Sequence, residues 1–291
     1  MDDKHDGSGG TPRRPTRVLP ALSQADGTLR RLVGGVDARG GGTTFPIMEV
    51  GPFILVGEAR DLMGAEQPPF GAHPHAGLVA LSHVPSGAPW ESRANVPGLE
   101  LLPFTVGDVV MTLAGRGIVH DEPTVGDGAH DLLQIILRLP AETRDAAAAI
   151  RRWRAVRLAD GVSRLFNSEQ LVETGLDAAA YLVRVPAGGS VELELSSAHT
   201  AGFVYARSGC VDVSGRRLQP HDVAVLGSEG DVLWLAADCD HEVECLVAVG
   251  APVAGPWAKL VGHNGFVVAA DEAGAAAALA RYGRDGSRFG W

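Results

Sequence analysis

Two short segments of the chain carry residue types and spacings that could hold a metal ion. In Phe70-Gly71-Ala72-His73-Pro74-His75-Ala76-Gly77, two histidines stand at positions i and i+2. Successive side chains of a β-strand point to opposite faces, so on a strand His73 and His75 share one face. In Ala114-Gly115-Arg116-Gly117-Ile118-Val119-His120-Asp121-Glu122, His120 and Glu122 repeat that spacing. Three imidazoles and one carboxylate form a mixed nitrogen–oxygen donor set suited to a divalent transition metal. An octahedral ion held this way would keep two positions for water or substrate. A lone His-x-His pair is as often a surface or loop feature as a ligand pair. Four matching residues in two separate segments are much harder to meet by chance, so His73, His75, His120 and Glu122 are predicted as metal ligands.

Placing both segments on one interior requires a barrel or sandwich, and the pattern from Leu29 to about Pro140 supplies one. Phe53-Ile54-Leu55-Val56, Leu78-Val79-Ala80-Leu81, Leu99-Glu100-Leu101-Leu102, Val109-Val110-Met111 and Leu133-Gln134-Ile135-Ile136-Leu137 are strand-length apolar runs. Turn residues such as Pro85-Ser86-Gly87 and Val106-Gly107-Asp108 divide them. Many short strands at such spacing predict a sandwich or barrel, and no βαβ alternation suggests a parallel nucleotide-binding sheet. The run Asp145 to Ile150 has helix propensity but is short enough to be a connector, and it marks the predicted boundary between two domains. From Ala180 to Val249 the same rhythm returns, as in the strictly alternating Val191-Glu192-Leu193-Glu194-Leu195 and the Ser214-Gly215 turn, which predicts a second barrel. A strand at Phe266-Val267-Val268 and a helix opening at Asp271-Glu272 and stopping at Gly283 follow. The predicted division is a disordered tail over 1–28, a metal-binding domain over 29–145 and a second domain over 146–291.

The 291 residues suit two ordinary domains, and the formal net charge of −10 argues against a nucleic-acid partner. The cluster of Arg151, Arg152, Arg154 and Arg157 is read as a solvated face or linker. The 3 cysteines, Cys210, Cys239 and Cys245, have no metal-knuckle spacing and do not make a disulfide framework, which fits free thiols in a cytoplasmic protein. No apolar run approaches the length of a membrane span. In the second half His199, His221 and His241 are scattered, and Asp240-His241-Glu242 is read as a polar loop. Arg116 is read either as a holder of a substrate anion or as the brace of a Gly-Arg-Gly turn.

The segments His73-Pro74-His75-Ala76-Gly77 and Ala114 through Glu122 resemble the two motifs of the pirin family of the cupin superfamily. The stretch Gly250-Ala251-Pro252 through Gly262, Phe266-Val267 and the closing Arg288-Phe289-Gly290 resemble a pirin C-terminus, so the likeness runs from about residue 29 to the end. It implies an all-β fold of two stacked cupin barrels (double-stranded β-helix or jelly-roll) with a short C-terminal helix, and metal only in the first barrel. It implies iron, Fe(2+), on the residues matching His73, His75, His120 and Glu122, with Zn, Mn, Ni, Co and Cu as alternatives. For several members it implies quercetin 2,3-dioxygenase activity, for others a regulatory role that binds a protein partner. The chain departs from the family where Leu78 and Val79 replace a usual glutamate, in Val109-Val110-Met111-Thr112-Leu113, and in His130-Asp131-Leu132-Leu133-Gln134-Ile135. It reads as a divergent member.

The enzyme reading is a metal-dependent dioxygenase whose small-molecule substrate is a flavonol-like enediol and whose co-substrate is dioxygen. Glu122 would serve both as ligand and as the base that takes the substrate hydroxyl proton. The alternative is a metal-bearing regulator that contacts another protein. The chain is read as a monomer.

Overall fold

The computed structural model describes residues 10–23, 28–34, 49–63, 71–95, 102–237, 239–262 and 265–284. These form two β-barrels, each made of two sheets, with one C-terminal helix. The first barrel joins a seven-stranded and a six-stranded sheet. Its seven strands run, in sheet order, Ala149–Arg154, Asp108–Leu113, Leu78–His83, Ala129–Arg138, Phe53–Met63, Leu29–Gly34 and Leu22–Ser23. The facing sheet is Ala258–Gly262, Gly265–Ala269, His73–Ala76, Ile118–Asp121, Trp90–Ala94 and Leu102–Phe104. The second barrel pairs a seven-stranded sheet, from Pro15–Pro20 across to Val156–Ala159, with a four-stranded one.

The two seven-stranded sheets stack face to face, and this explains the apolar runs. Along Ala129–Arg138, Leu133, Ile135 and Leu137 enter the core between the barrels, while Leu132 and Ile136 face the interior of the first barrel. A strand buried on both faces reads as nearly continuous hydrophobic sequence. Across the interface these side chains share one cluster with Phe166, Leu182, Phe203, Tyr205 and Leu246 of the second barrel. Phe53 and Phe203 meet edge to face with centroids 5.5 Å apart. Each fully buried Leu or Phe there contributes about 1.5–3 kcal/mol.

Three features differ from the sequence expectation. Of the tail expected over 1–28, Pro15–Pro20 is an edge strand that pairs with Asp222–Leu226 of the second barrel. Proline lacks the N–H for a central ladder, so a strand bounded by two prolines gives no alternation signal and is tolerated at an edge. Buried Arg13 pins its entry by donating Nε to the Gly230 carbonyl at 2.8 Å and Nη1 to the His199 carbonyl. Second, the division expected at 145/146 is crossed: Ala149–Arg154 extends the first barrel's sheet beside Asp108–Leu113. Third, residues from Ala258 onward, expected within the second domain, return to the first barrel. Gly265–Ala269 pairs in parallel with His73–Ala76, and the helix Glu272–Arg284 packs Ala275 and Ala278 against Ala76, Val119 and Val267. Asp271 caps that helix, its Oδ1 accepting the Gly274 N–H at 2.7 Å. The helix continues through Gly283, the predicted stop. Of the strands predicted, Leu99–Leu101 lies outside the described residues.

This crossing explains Gly77. It sits at φ +70°, and a Cβ there would come 2.0 Å from the Val268 carbonyl oxygen. Gly77→Ala is expected to cost about 1–2 kcal/mol from the left-handed backbone alone, with the steric clash adding to it. A urea midpoint unchanged from the parent would show that the strand contact is not needed.

Candidate metal centre

His73, His75 and His120 meet on the inner face of the first barrel. The strands His73–Ala76 and Ile118–Asp121 pair antiparallel, with His120 directly opposite His73 and Ile118 opposite His75. Period-two alternation then turns all three imidazoles to the same side. Their ring centroids are 4.6–5.0 Å apart. One ligand nitrogen from each lies within 4.8 Å of the others. Among the described residues this is the one such cluster of His, Cys, Asp and Glu.

Backbone carbonyls fix two of the three tautomers. His73 Nδ1–H donates to the Gly71 carbonyl at 2.8 Å, and His75 Nδ1–H donates to the Phe266 carbonyl at 3.1 Å. Each ring then keeps a lone pair on Nε2, the arrangement that orients a metal-ligating histidine. His75 Nε2 and both nitrogens of His120 are buried without a hydrogen-bond partner. Burying polar atoms unsatisfied costs about 1–3 kcal/mol each, a cost that a coordinated cation would remove.

Burial also keeps the rings neutral. It lowers the His75 pKa to about 3, with the His73 charge adding to the effect, and drives His120 well below its ordinary value. His73 is lowered by the same cause, partly offset by its bond to Gly71. Neutral imidazoles offer free lone pairs at physiological pH, so the donor set fits a divalent transition metal.

Glu122 lies one residue beyond the end of the Ile118–Asp121 strand, 2% exposed, and is not part of the three-histidine group. Its carboxylate is held from the opposite sheet. Ser82 Oγ donates to Oε1 at 2.5 Å and Gln134 Nε2 donates to Oε2 at 2.8 Å. Ser82 and Gln134 are direct cross-strand partners, and both stand in the inward phase of their strands. Burial raises the Glu122 pKa to about 7, with the two hydrogen bonds working against that rise and Asp121 adding to it. Sequence reading missed Ser82 and Gln134. The signal available was a polar residue in the inward phase of an apolar strand, as in Leu78-Val79-Ala80-Leu81-Ser82 and Leu132-Leu133-Gln134-Ile135-Ile136.

The other candidates lie elsewhere. Arg116 is exposed on its turn, where its backbone N–H donates to the Ala146 carbonyl at 3.0 Å. His199 bonds Asp177, His221 meets Tyr205, and His241 meets Asp240, three separate places in the second barrel. The three cysteines are free, and among the described residues no helix is long and apolar enough to cross a membrane.

No sequence-family model and no curated protein sequence matches the chain. Solved structures do. The quercetin 2,3-dioxygenase from Acinetobacter baumannii is similar with a TM-score of 0.74 at 18% identity, over 96% of this chain and 99% of that one. The protein GK1651 from Geobacillus kaustophilus gives 0.65 at 20% identity, over 84% and 98%. The bacterial pirin YhhW from Escherichia coli, in complex with nickel(II), gives 0.61 at 18% identity, over 80% and 95%.

Proposed function

We propose that this chain, built on the two-barrel cupin fold it shares with those structures, is an iron-dependent dioxygenase acting on flavonol-like enediol substrates. The observation that carries the reading is the buried trio of neutral imidazoles with unpartnered nitrogens. His73, His75 and His120, with Glu122 as the fourth donor, would hold one divalent metal. That metal would supply charge stabilisation and orientation for an ionised enediol and for dioxygen. The protein's own contribution is the base and its positioning. Glu122 would take the proton of a substrate hydroxyl onto one carboxylate oxygen, provided that hydroxyl comes within hydrogen-bond reach of it. Ser82 and Gln134 each occupy one lone-pair direction of the carboxylate, leaving another on each oxygen for the incoming proton or the ion. The carbonyls of Gly71 and Phe266 hold two ligand rings in place throughout.

The direct test is anaerobic purification, metal quantification, reconstitution with iron(II) and addition of quercetin under dioxygen. One bound iron and quercetin-dependent oxygen uptake are expected. Bound iron without uptake would move the reading to a metal-bearing protein with a protein partner or another substrate. Glu122→Gln is expected to lower turnover by about 10²-fold or more while His73, His75 and His120 still retain metal at reduced affinity.

Metal affinity has its own pH test. Because the Glu122 pKa in the metal-free fold is about 7, the carboxyl is protonated below that value and must release its proton to bind. Wild-type affinity is therefore expected to rise by about tenfold per pH unit up to about 7 and to level off above it. The same titration of Glu122→Gln is expected to be nearly flat there; an unchanged slope would remove Glu122 from the ligand set.

A further inference from the structure

The two barrels leave a cleft of about 380 Å³ between them. Small-molecule sites typically measure about 300–1,000 Å³, so this space is large enough for one. The first barrel lines it with His83, Pro85 and Val106, the second with Val162, Ser163 and Leu182. Strand phase explains where it lies. Val79, Leu81 and His83 stand two residues apart on Leu78–His83 and share the face toward the second barrel. Val79 and Leu81 belong to the core between the barrels, and His83 is the next position of that row. In the second barrel Leu182, on Ala178–Val185, belongs to the same core and is the direct partner of Ser163. Direct partners point to the same face, so Ser163 also looks across at the first barrel. The cleft begins where the apolar rows give way to His83 and Ser163.

His83 sets the chemistry of this space. It is 4% exposed, and its Nδ1–H donates to the Asp108 carbonyl at 2.9 Å. Burial lowers its pKa to about 4, so the ring is neutral and Nε2 carries a lone pair. That nitrogen makes no hydrogen bond with a described residue, which leaves it as an acceptor for the cleft. The charged groups at the rim are already matched. Arg184 Nε donates to Glu244 at 3.0 Å, and Arg157 Nη2 donates to Asp160 at 2.5 Å. Ser82, the neighbour of His83, bonds Glu122 on the opposite face of the strand, so the sheet itself separates the cleft from the three histidines.

We infer that this cleft is a second small-molecule site, separate from the three histidines, and that it takes an uncharged phenol whose hydroxyl donates to His83 Nε2. The ring of such a ligand suits the apolar walls that Pro85, Val106, Val162 and Leu182 provide. A phenolic O–H is a stronger donor than an aliphatic one, and a single acceptor on an apolar wall matches one hydroxyl on an apolar body. A sugar would bring more hydroxyls than His83 and Ser163 can partner, and a charged ligand would have to displace the ion pairs of Arg184 and Arg157. The inference stands whether or not the histidine trio binds a metal.

The test uses the full chain with its histidines labelled with nitrogen-15, titrated with 4-methylphenol and with 4-methylanisole, which has the same ring but no proton to donate. Nuclear magnetic resonance follows the histidine ring nitrogens, with and without added zinc(II). The His83 signal is identified by its loss in His83→Phe. Wild type is expected to bind one 4-methylphenol with a Kd of about 1 mM and to shift the His83 Nε2 resonance, and to bind the ether about tenfold more weakly. Zinc(II) is expected to leave both affinities unchanged. His83→Phe is expected to lose the preference for the phenol. Val106→Trp, at a position 44% exposed, is expected to fill the cleft and abolish binding of both compounds. Equal affinity of wild type for phenol and ether, or binding without a shift at His83 Nε2, would overturn the inference. Loss of phenol binding on addition of zinc(II) would move the ligand to the three histidines and overturn it as well. The wild-type comparison decides the matter even if a variant does not fold.

Discussion

His75→Ala is expected to reduce bound metal from one ion per chain to none at micromolar metal concentration. His75 donates its Nδ1 proton to the Phe266 carbonyl, and its Nε2 is buried with no protein partner, so the ring serves the ion more than the fold. Loss of an outer-sphere partner alone typically costs 10–100-fold in affinity, and loss of a direct ligand costs more. The consequence for stability follows by linkage. A metal that binds only the folded state at about 100 times its Kd adds about 2.7 kcal/mol, and the variant is expected to show no such gain. Thermal unfolding with and without added metal, beside direct metal analysis, reads both effects. A variant that keeps full metal content would remove His75 from the site.

The metal-free protein should also carry the pH dependence of a buried neutral cluster. The His75 pKa falls from 6.5 to about 3 on folding, so the unfolded chain binds more protons between those values. Stability is therefore lost as pH falls from about 6.5 toward 3. Glu122 acts with the opposite sign. Its pKa rises from 4.5 to about 7 on folding, so its contribution declines as pH rises through that window. His75→Ala should blunt the acid-side loss, whereas Glu122→Gln should remove the decline toward neutrality.

The second large effect is expected at Arg207. Its side chain is 2% exposed between the barrels, where Nε donates to Glu58 Oε1 at 2.7 Å and Nη1 donates to Glu244. Glu58 comes from the first barrel, fully buried, and also accepts the Tyr205 hydroxyl at 2.6 Å and faces Arg30 at 3.5 Å. Burial and the Glu58 charge both push the Tyr205 phenol up, which keeps it protonated as a donor. Removing one partner of a buried ion pair leaves the others desolvated and uncompensated, so Arg207→Ala is expected to lose about 3–5 kcal/mol of stability. Replacing Glu58 and Arg207 together by Gln and Met should lose less than the sum of the single changes, since no charge is then stranded at that contact. A loss below about 1 kcal/mol for Arg207→Ala would mean that the contact between the barrels is apolar in its energetics.

The chemistry of this chain was largely written in local spacing. His73, His75 and His120 were legible because strand alternation is a local rule: two residues apart means the same face, wherever the strand is placed. The barrel class was legible for the same reason, in short apolar runs cut by Gly, Pro and Asp. Long-range pairing carries no such local mark. Nothing near Arg31 announces that its ladder partner is Gly57, that Gly57 lies beside Gln134, or that Gln134 grips Glu122 from the opposite sheet. Nor does the sequence around Phe266 indicate that its carbonyl holds a histidine from far earlier in the chain. The prolines of Pro15–Pro20 silence the pattern that would mark a strand, and the return of the last strands to the first barrel leaves only Gly77 and Gly265 as traces. A Cβ on Gly77 would strike the Val268 carbonyl, and one on Gly265 would strike that of Pro74. The amino-acid sequence by itself determined which side chains could bind a metal and that strands would carry them. Register and sheet packing, which depend on hydrogen bonds between distant segments, decided which polar groups hold Glu122.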